Sequence, residues 1–274
     1  MSLKMVFGFA VCIPCLLSSV AFSQQKSGTD SKGLKLVWSD EFDGKSLDYS
    51  KWGVEQNAFG GGNQELQIYT DRSKNVRVEN GHLVIEAHRD NANISGTGRE
   101  YSSGRIRTKH RGDWQYGRIE VRAKMPIGQG IWPAIWMLPT DEKYGGWAAS
   151  GEIDIMEYLG QKPNEVLGTL HYGGGWPRNA YSGDSIKLKN GTFNDEFHTF
   201  AIEWQKGKIV WLLDGKPWQT QTKWHSENGK YPAPFDQRFH LLLNLSVGGH
   251  LAGNPDGNTK FPQKFLVDYV RVYQ

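Results

Sequence analysis

The sequence predicts an all-β domain, either a two-sheet sandwich or a barrel, and three observations carry that prediction. Short runs rich in β-branched and aromatic residues recur along residues 34–274. Turns containing glycine punctuate them, and the chain holds 33 glycines. No window sustains a helical apolar period over the length of a typical helix. Many short strands joined by such turns bury their apolar faces by packing two sheets together or by closing one sheet on itself.

Taken in chain order, Leu34–Trp38 opens the domain with Leu, Val and Trp. Val76–Val78 and His82–His88 flank Asn80-Gly81, a strong hairpin signal because a two-residue type I′ turn needs positive φ at both positions. Gly104–His110 comes next. In Arg118–Met125 the charged Arg118, Glu120, Arg122 and Lys124 alternate with Ile119, Val121 and Ala123, the pattern of a half-buried strand. Ile131–Leu138, Glu152–Leu159 and Val166–Tyr172 are rich in Ile, Val, Trp and Tyr. Thr199–Trp204 and Lys208–Asp214 lead to Asp214-Gly215, the second hairpin signal. Phe239–Val247 and Leu266–Tyr273 end the series.

At 274 residues the chain exceeds one average domain, but all-β domains often run to about 250 residues as one unit. With 38% hydrophobic and 22% charged residues it has the material for a sizeable core, which excludes a disordered chain. A mean hydropathy of −0.57 and a single long apolar run exclude a multi-span membrane protein. Lys and Arg number 32 against 29 Asp and Glu, and no basic block points to nucleic acid.

The N-terminus reads as a secretory signal over residues 1–23. Lys4 gives the positive start, Val6 to Val20 the apolar stretch, and Ala21-Phe22-Ser23 the small residues before a cut at Gln24. The run is short for a membrane span and broken by Pro14, which disfavours a retained anchor, and the residues flanking Cys12 and Cys15 give little support to lipidation. Both cysteines leave with the signal, so their Cys-x-x-Cys spacing is neither a redox nor a metal motif. The expectation is a secreted or periplasmic, cysteine-free monomer. Residues 24–33 form a disordered lead-in, and residues 34–274 form a single domain with no linker or repeat.

Gly151-Glu152-Ile153-Asp154-Ile155-Met156-Glu157-Tyr158 is the most informative segment. On a helix Glu152 and Glu157 would stand about 140° apart and serve no common site. On a strand Glu152 and Asp154 share a face, and then the alternation slips, with Ile155 and Met156 both apolar. A β-bulge at Ile155–Met156 would return Glu157 to the face of the other two acids. Such a row fits catalysis, a solvated surface face or a metal site. Its purely acidic character and aromatic flanks favour catalysis, because adjacent carboxylates oppose one another's ionisation. Glycoside hydrolysis is the natural chemistry, since it needs one carboxyl to attack the anomeric carbon and another to protonate the leaving oxygen.

At these residues the sequence resembles the Glu-x-Asp-x-x-Glu signature of glycoside hydrolase family 16. Asn63–Thr70, Gly130–Pro139, Gly168–Gly174 and Val267–Tyr273 resemble the bacterial laminarinase branch of that family, in the same order along the chain. The resemblance runs from about Leu36 to the C-terminus. It implies a concanavalin A-like β-jelly-roll sandwich of two antiparallel sheets with an open substrate cleft, and retaining endo-hydrolysis of β-1,3-glucan. The same motif occurs in enzymes acting on mixed-linkage β-1,3-1,4-glucan and agarose, and some relatives are non-catalytic glucan-binding modules. Position by position, the resemblance makes Glu152 the nucleophile, Glu157 the acid/base and Asp154 the assisting carboxylate. It places Asn63, Arg89, Trp132, Trp136, Trp147 and His171 in the substrate cleft. No cofactor is implied for the chemistry, but a structural calcium is, on Glu41, Asp268 and the Gly81 carbonyl. One departure stands out: Gly248-Gly249 is followed by His250-Leu251-Ala252, where laminarinases commonly carry Trp-Pro. Asn93, Asn190 and Asn244 each begin a glycosylation sequon.

Overall fold

The computed structural model describes Met1, Gly28–Asp30 and residues 32–274. The expected signal segment after Met1, with Cys12 and Cys15, lies outside the described residues. Among the described residues no helix is long and apolar enough to cross a membrane. The strands are, in order, β1 (Leu36–Asp40), β2 (Gly53–Val54), β3 (Gln67–Tyr69), β4 (Val76–Glu79), β5 (His82–Ile94) and β6 (Thr97–Ser103). There follow β7 (Arg105–Arg107), β8 (Asp113–Trp114), β9 (Gly117–Lys124), β10 (Ile131–Pro139), β11 (Glu152–Tyr158) and β12 (Glu165–Gly173). The last six are β13 (Asn179–Lys187), β14 (His198–Gln205), β15 (Lys208–Leu213), β16 (Lys216–Gln221), β17 (Phe239–Val247) and β18 (Gln263–Tyr273).

These make two sheets. One has ten strands in the order β16-β15-β14-β9-β18-β5-β6-β3, with β1 on β18 and β4 on β5. The other has eight, ordered β13-β12-β11-β10-β17-β7-β2, with β8 on β17. Pairing is antiparallel throughout except between β3 and β6, which run parallel. Both expected hairpins form, and Asn80, Gly81, Asp214 and Gly215 all have positive φ, as the turn type requires. The run expected over Gly104–His110 is strand only over Arg105–Arg107. Within the lead-in expected over residues 24–33, the described residues include Thr29, which pairs with Lys35, and Lys32, which meets Glu203. A turn that returns Asp30 N–H to Leu34 O (2.9 Å) docks this piece on the sheet.

The core lies between the sheets. In β9, Ile119, Val121 and Ala123 are fully buried, while Arg118 and Glu120 pair with each other on the outer face. Opposite them lie Ile135 and Met137 of β10, Ile153 and Met156 of β11 and Leu170 of β12, all fully buried. Every residue of β17 is buried, which matches its nearly continuous apolar sequence at the centre of a sheet. The outward face of this eight-stranded sheet carries Glu152, Asp154 and Glu157 of β11.

Candidate active site

The alternation slips on β11 at the expected place. Glu152 pairs with His171 and Asp154 with Thr169 on β12, and the register then shifts so that Glu157 meets Leu167. On the other side Trp136 pairs with Asp154 and Ile135 with Met156, leaving Ile155 as the extra residue. Ile153, Ile155 and Met156 all go into the core, and the three acids share the outer face. The bulge is held from beneath: Trp211 of β15, fully buried, donates its indole N–H to the Asp154 carbonyl oxygen at 2.8 Å.

The acids are nearly buried; the Glu152 side chain is 14% exposed and that of Asp154 4%. Burial, with the charge of Asp154 second, pushes Glu152 up to about 8. Burial likewise raises Asp154 to about 8, against a hydrogen bond with Glu152 that lowers it. Glu157 is driven well above the carboxylate range by burial and then by the charges of Asp154 and Glu152. The row therefore holds at least one proton at neutral pH.

Its neighbours distinguish the two glutamates. Trp147 donates its indole N–H to Glu152 Oε2 at 2.7 Å. His171 Nε2 lies 4.0 Å from Glu152 Oε1 and 3.4 Å from Asp154 Oδ2. His171, Trp147 and Arg105 all favour the ionised form of Glu152. Glu157 faces two carboxylates and has mainly the Trp132 indole and His171 to ease its ionisation. These neighbours ease the ionisation of Glu152 more than that of Glu157. The donor atoms of Glu152, Asp154 and His171 lie within 4.8 Å of one another, compact enough for a cation. The indole N–H aimed at Glu152 suits a bare carboxylate oxygen better than a metal-bound one.

Beside the acids, Trp136 donates to Asn244 Oδ1 at 2.6 Å and carries the Arg105 guanidinium 4.7 Å from its ring centre. Arg105 and Arg107 both pair with Glu55, at 3.3 and 3.2 Å. A buried network continues the cleft floor. Glu65 Oε2 accepts from Gln67 (2.7 Å), Tyr69 (3.2 Å) and Ser246 (2.9 Å), and Asn244 donates to Ser246 at 3.0 Å. The sequence alone did not place Arg105, Asn244, Glu55 or Glu65 among the site residues. Asn244, noted as the start of a sequon, is 4% exposed and is no glycosylation acceptor.

The structure places Trp132, Trp136, Trp147 and His171 beside the acids. Trp132 is only 7% exposed, packed with Leu159 and Ala252, so it walls the site near Glu157 and offers little open face to a sugar. The Gly248–Ala252 departure thus borders the cleft through Ala252. Asn63 lies on the adjoining loop, where its carbonyl accepts the His250 N–H at 2.9 Å. Arg89 is not brought to the acids: it projects from β5 of the other sheet, exposed and paired with Glu100 at 2.6 Å.

The expected calcium ligands converge on one corner, because β1, β18 and β5 are neighbours. Their carboxylates are otherwise engaged. Glu41 makes a two-pronged pair with Arg271 (3.0 and 2.7 Å), and Asp268 pairs with Arg122. As arranged, these side chains meet guanidinium groups and do not form an oxygen cage for calcium.

Comparison with known proteins agrees with this geometry. A glucan endo-1,3-beta-glucosidase A1 of Niallia circulans is 43% identical over 88% of this chain, which spans 38% of that relative's length. A glucan endo-1,3-beta-glucosidase of Cryptopygus antarcticus is 38% identical over 96% of this chain and 98% of its own. The crystal structure of the laminarinase from Rhodothermus marinus superposes with a TM-score of 0.77 at 41% identity, covering 87% of this chain and 96% of that one. Residues 63–270, which span the bulged strand and both of its flanks, match Glycosyl hydrolases family 16, and the chain belongs to that family.

Proposed function

We propose that this protein is a retaining endo-β-1,3-glucanase that cleaves internal bonds of laminarin-type glucans. The observation that carries the reading is the bulged acid row itself. It sets an ionisable glutamate under an indole donor and a proton-holding glutamate on one outward face. Glu152 attacks the anomeric carbon as Glu157 delivers its proton to the departing glycosidic oxygen. Glu157, now a carboxylate, then takes a proton from the water that hydrolyses the glycosyl-Glu152 ester. Asp154, between them, exchanges a proton with Glu152 as the charge on the row changes. The β-1,3 preference rests on the named activities of the relatives above. The N-terminal 1–23 segment supports export, and the protein acts as a monomer without metal chemistry. Calcium is not part of this reading, given the arginine partners of Glu41 and Asp268.

The test is reducing-sugar release from laminarin, mixed-linkage β-glucan and agarose, beside a Glu152→Gln variant. Strong release from laminarin, abolished by the substitution, is expected. Activity confined to agarose or mixed-linkage glucan would keep the chemistry and overturn the substrate. Inactivity of the folded protein on all three would overturn the enzyme reading.

A further inference from the structure

Glu152 and Asp154 stand two residues apart on the outward face of β11, and the β12 register sets His171 directly across from Glu152. Pleat and register thus bring three donor atoms into a triangle. His171 Nε2 lies 3.4 Å from Asp154 Oδ2 and 4.0 Å from Glu152 Oε1, and the set falls within 4.8 Å. Asp154 Oδ2 adds a second, independent observation. Its side chain is 4% exposed, yet this oxygen has no hydrogen-bond partner and faces the His171 ring. A buried carboxylate oxygen left in this way costs free energy that a bound ligand recovers.

We propose that these three atoms bind Zn²⁺ reversibly and that the ion inhibits the enzyme by occupying the nucleophile. The inhibition rests on the glucanase reading above; the binding does not. One imidazole nitrogen and two carboxylate oxygens suit a borderline cation such as Zn²⁺, whereas Mg²⁺ prefers six oxygens. Ligands of a tetrahedral zinc stand about 3.3 Å apart at bonds of about 2.0 Å. The His171–Asp154 span already fits, and the His171–Glu152 span closes with a small side-chain rotation. The Trp147 indole holds Glu152 Oε2 and leaves Oε1 free, so it orients the ligand carboxylate and does not compete with the ion. His171 makes the ion an inhibitor and not a resident cofactor. A dedicated metal histidine donates its other ring N–H to an acceptor, but His171 Nδ1 is buried with none. That omission lowers affinity by about 10- to 100-fold, which keeps binding reversible.

Untagged protein, stripped of metal with EDTA, is titrated with zinc chloride by calorimetry, and laminarin hydrolysis is followed in parallel at one pH. One equivalent is expected to bind. At about 100 μM zinc, KM for laminarin should rise about fivefold with kcat changed less than about twofold, because ion and substrate compete for Glu152. EDTA should reverse the effect, and magnesium chloride at the same concentration should have none. His171→Gln and Asp154→Asn each remove one ligand and should weaken zinc binding at least about tenfold, with the fold checked by circular dichroism. Where either variant fails to fold, Glu152→Gln takes its place. Unchanged zinc binding by the folded variants would put the ion on other side chains, and activity that ignores zinc would show the nucleophile free. Either result overturns the proposal. A folded protein that cleaves no glucan overturns the glucanase reading, and the calorimetry of the variants then decides the zinc site by itself.

Discussion

Asp154→Asn should make the protein more stable at alkaline pH while disabling it. Carboxylate oxygens of Asp154 and Glu152 lie within 4.8 Å of each other. At an effective dielectric near 20, two charges at that distance repel by about 3.5 kcal/mol, part of which the hydrogen bond between them offsets. The folded Asp154 titrates near 8 against an ordinary value of 3.8, with burial as the main cause. The folded state therefore binds more protons than the unfolded one between those limits, and stability falls as pH rises through that window. Below pH 3.8 the carboxyl is protonated in both states and the penalty vanishes; above about 8 it is complete. Asparagine removes the repulsion and can still hydrogen-bond Glu152. The variant should gain about 2 kcal/mol at pH 9, roughly 4–8 °C in Tm for a domain of this size, and almost nothing at pH 3.5. Calorimetry across that range measures the gain. The acid limb of the kcat/KM profile should also move down by about one to two units, because Glu152 loses its like-charged neighbour. A Tm gain independent of pH, or a loss at pH 9, would refute the reasoning.

Other perturbations follow from single contacts. Trp147→Phe removes the 2.7 Å donor that favours ionised Glu152, so the acid limb of the pH–rate profile should move up by about one unit, opposite in sign to the effect of Asp154→Asn. Asn244→Ala leaves the Trp136 indole without its 2.6 Å acceptor; laminarin kinetics should show KM raised about fivefold and kcat changed less than about twofold. Gly168→Ala would put a Cβ 2.6 Å from two atoms of the buried Trp211 ring, and thermal unfolding should show a loss of about 3 kcal/mol, with activity falling as the support of the bulge shifts.

What could be read from the sequence was local. The Asn80-Gly81 and Asp214-Gly215 turns, the alternation in Arg118–Lys124 and the slipped alternation after Asp154 each sit within ten residues, and each appears in the fold where expected. The strands with no signal were short or polar. Asn179–Lys187 reads as loop because an edge strand exposes much of its surface, yet it pairs along β12 and sets Tyr181 opposite His171. Arg105 and Asn244 join the site through the pairing of β7, β17 and β10, and Glu65 through its hydrogen bond from Ser246, which no spacing along the chain reveals. Arg89 lies away from the acids, paired with Glu100, which borders a hollow also lined by Gln64, Glu65 and Leu66.

The one place where the strand pattern breaks is also the place where the fold bears a destabilising load. Three carboxyls on a nearly buried face would favour an unfolded or slipped strand if the pleat were free to choose. Sliding β11 by one residue would turn Ile153 and Met156, both fully buried, toward solvent and send the acids into the core. Apolar burial on the inner face thus locks the register, and the Trp211 indole satisfies the Asp154 carbonyl at the bulge. The acids are held in place by residues that never touch substrate. Substitutions that loosen that inner face should therefore reduce turnover before they unfold the protein, since the acid row tolerates no change of register.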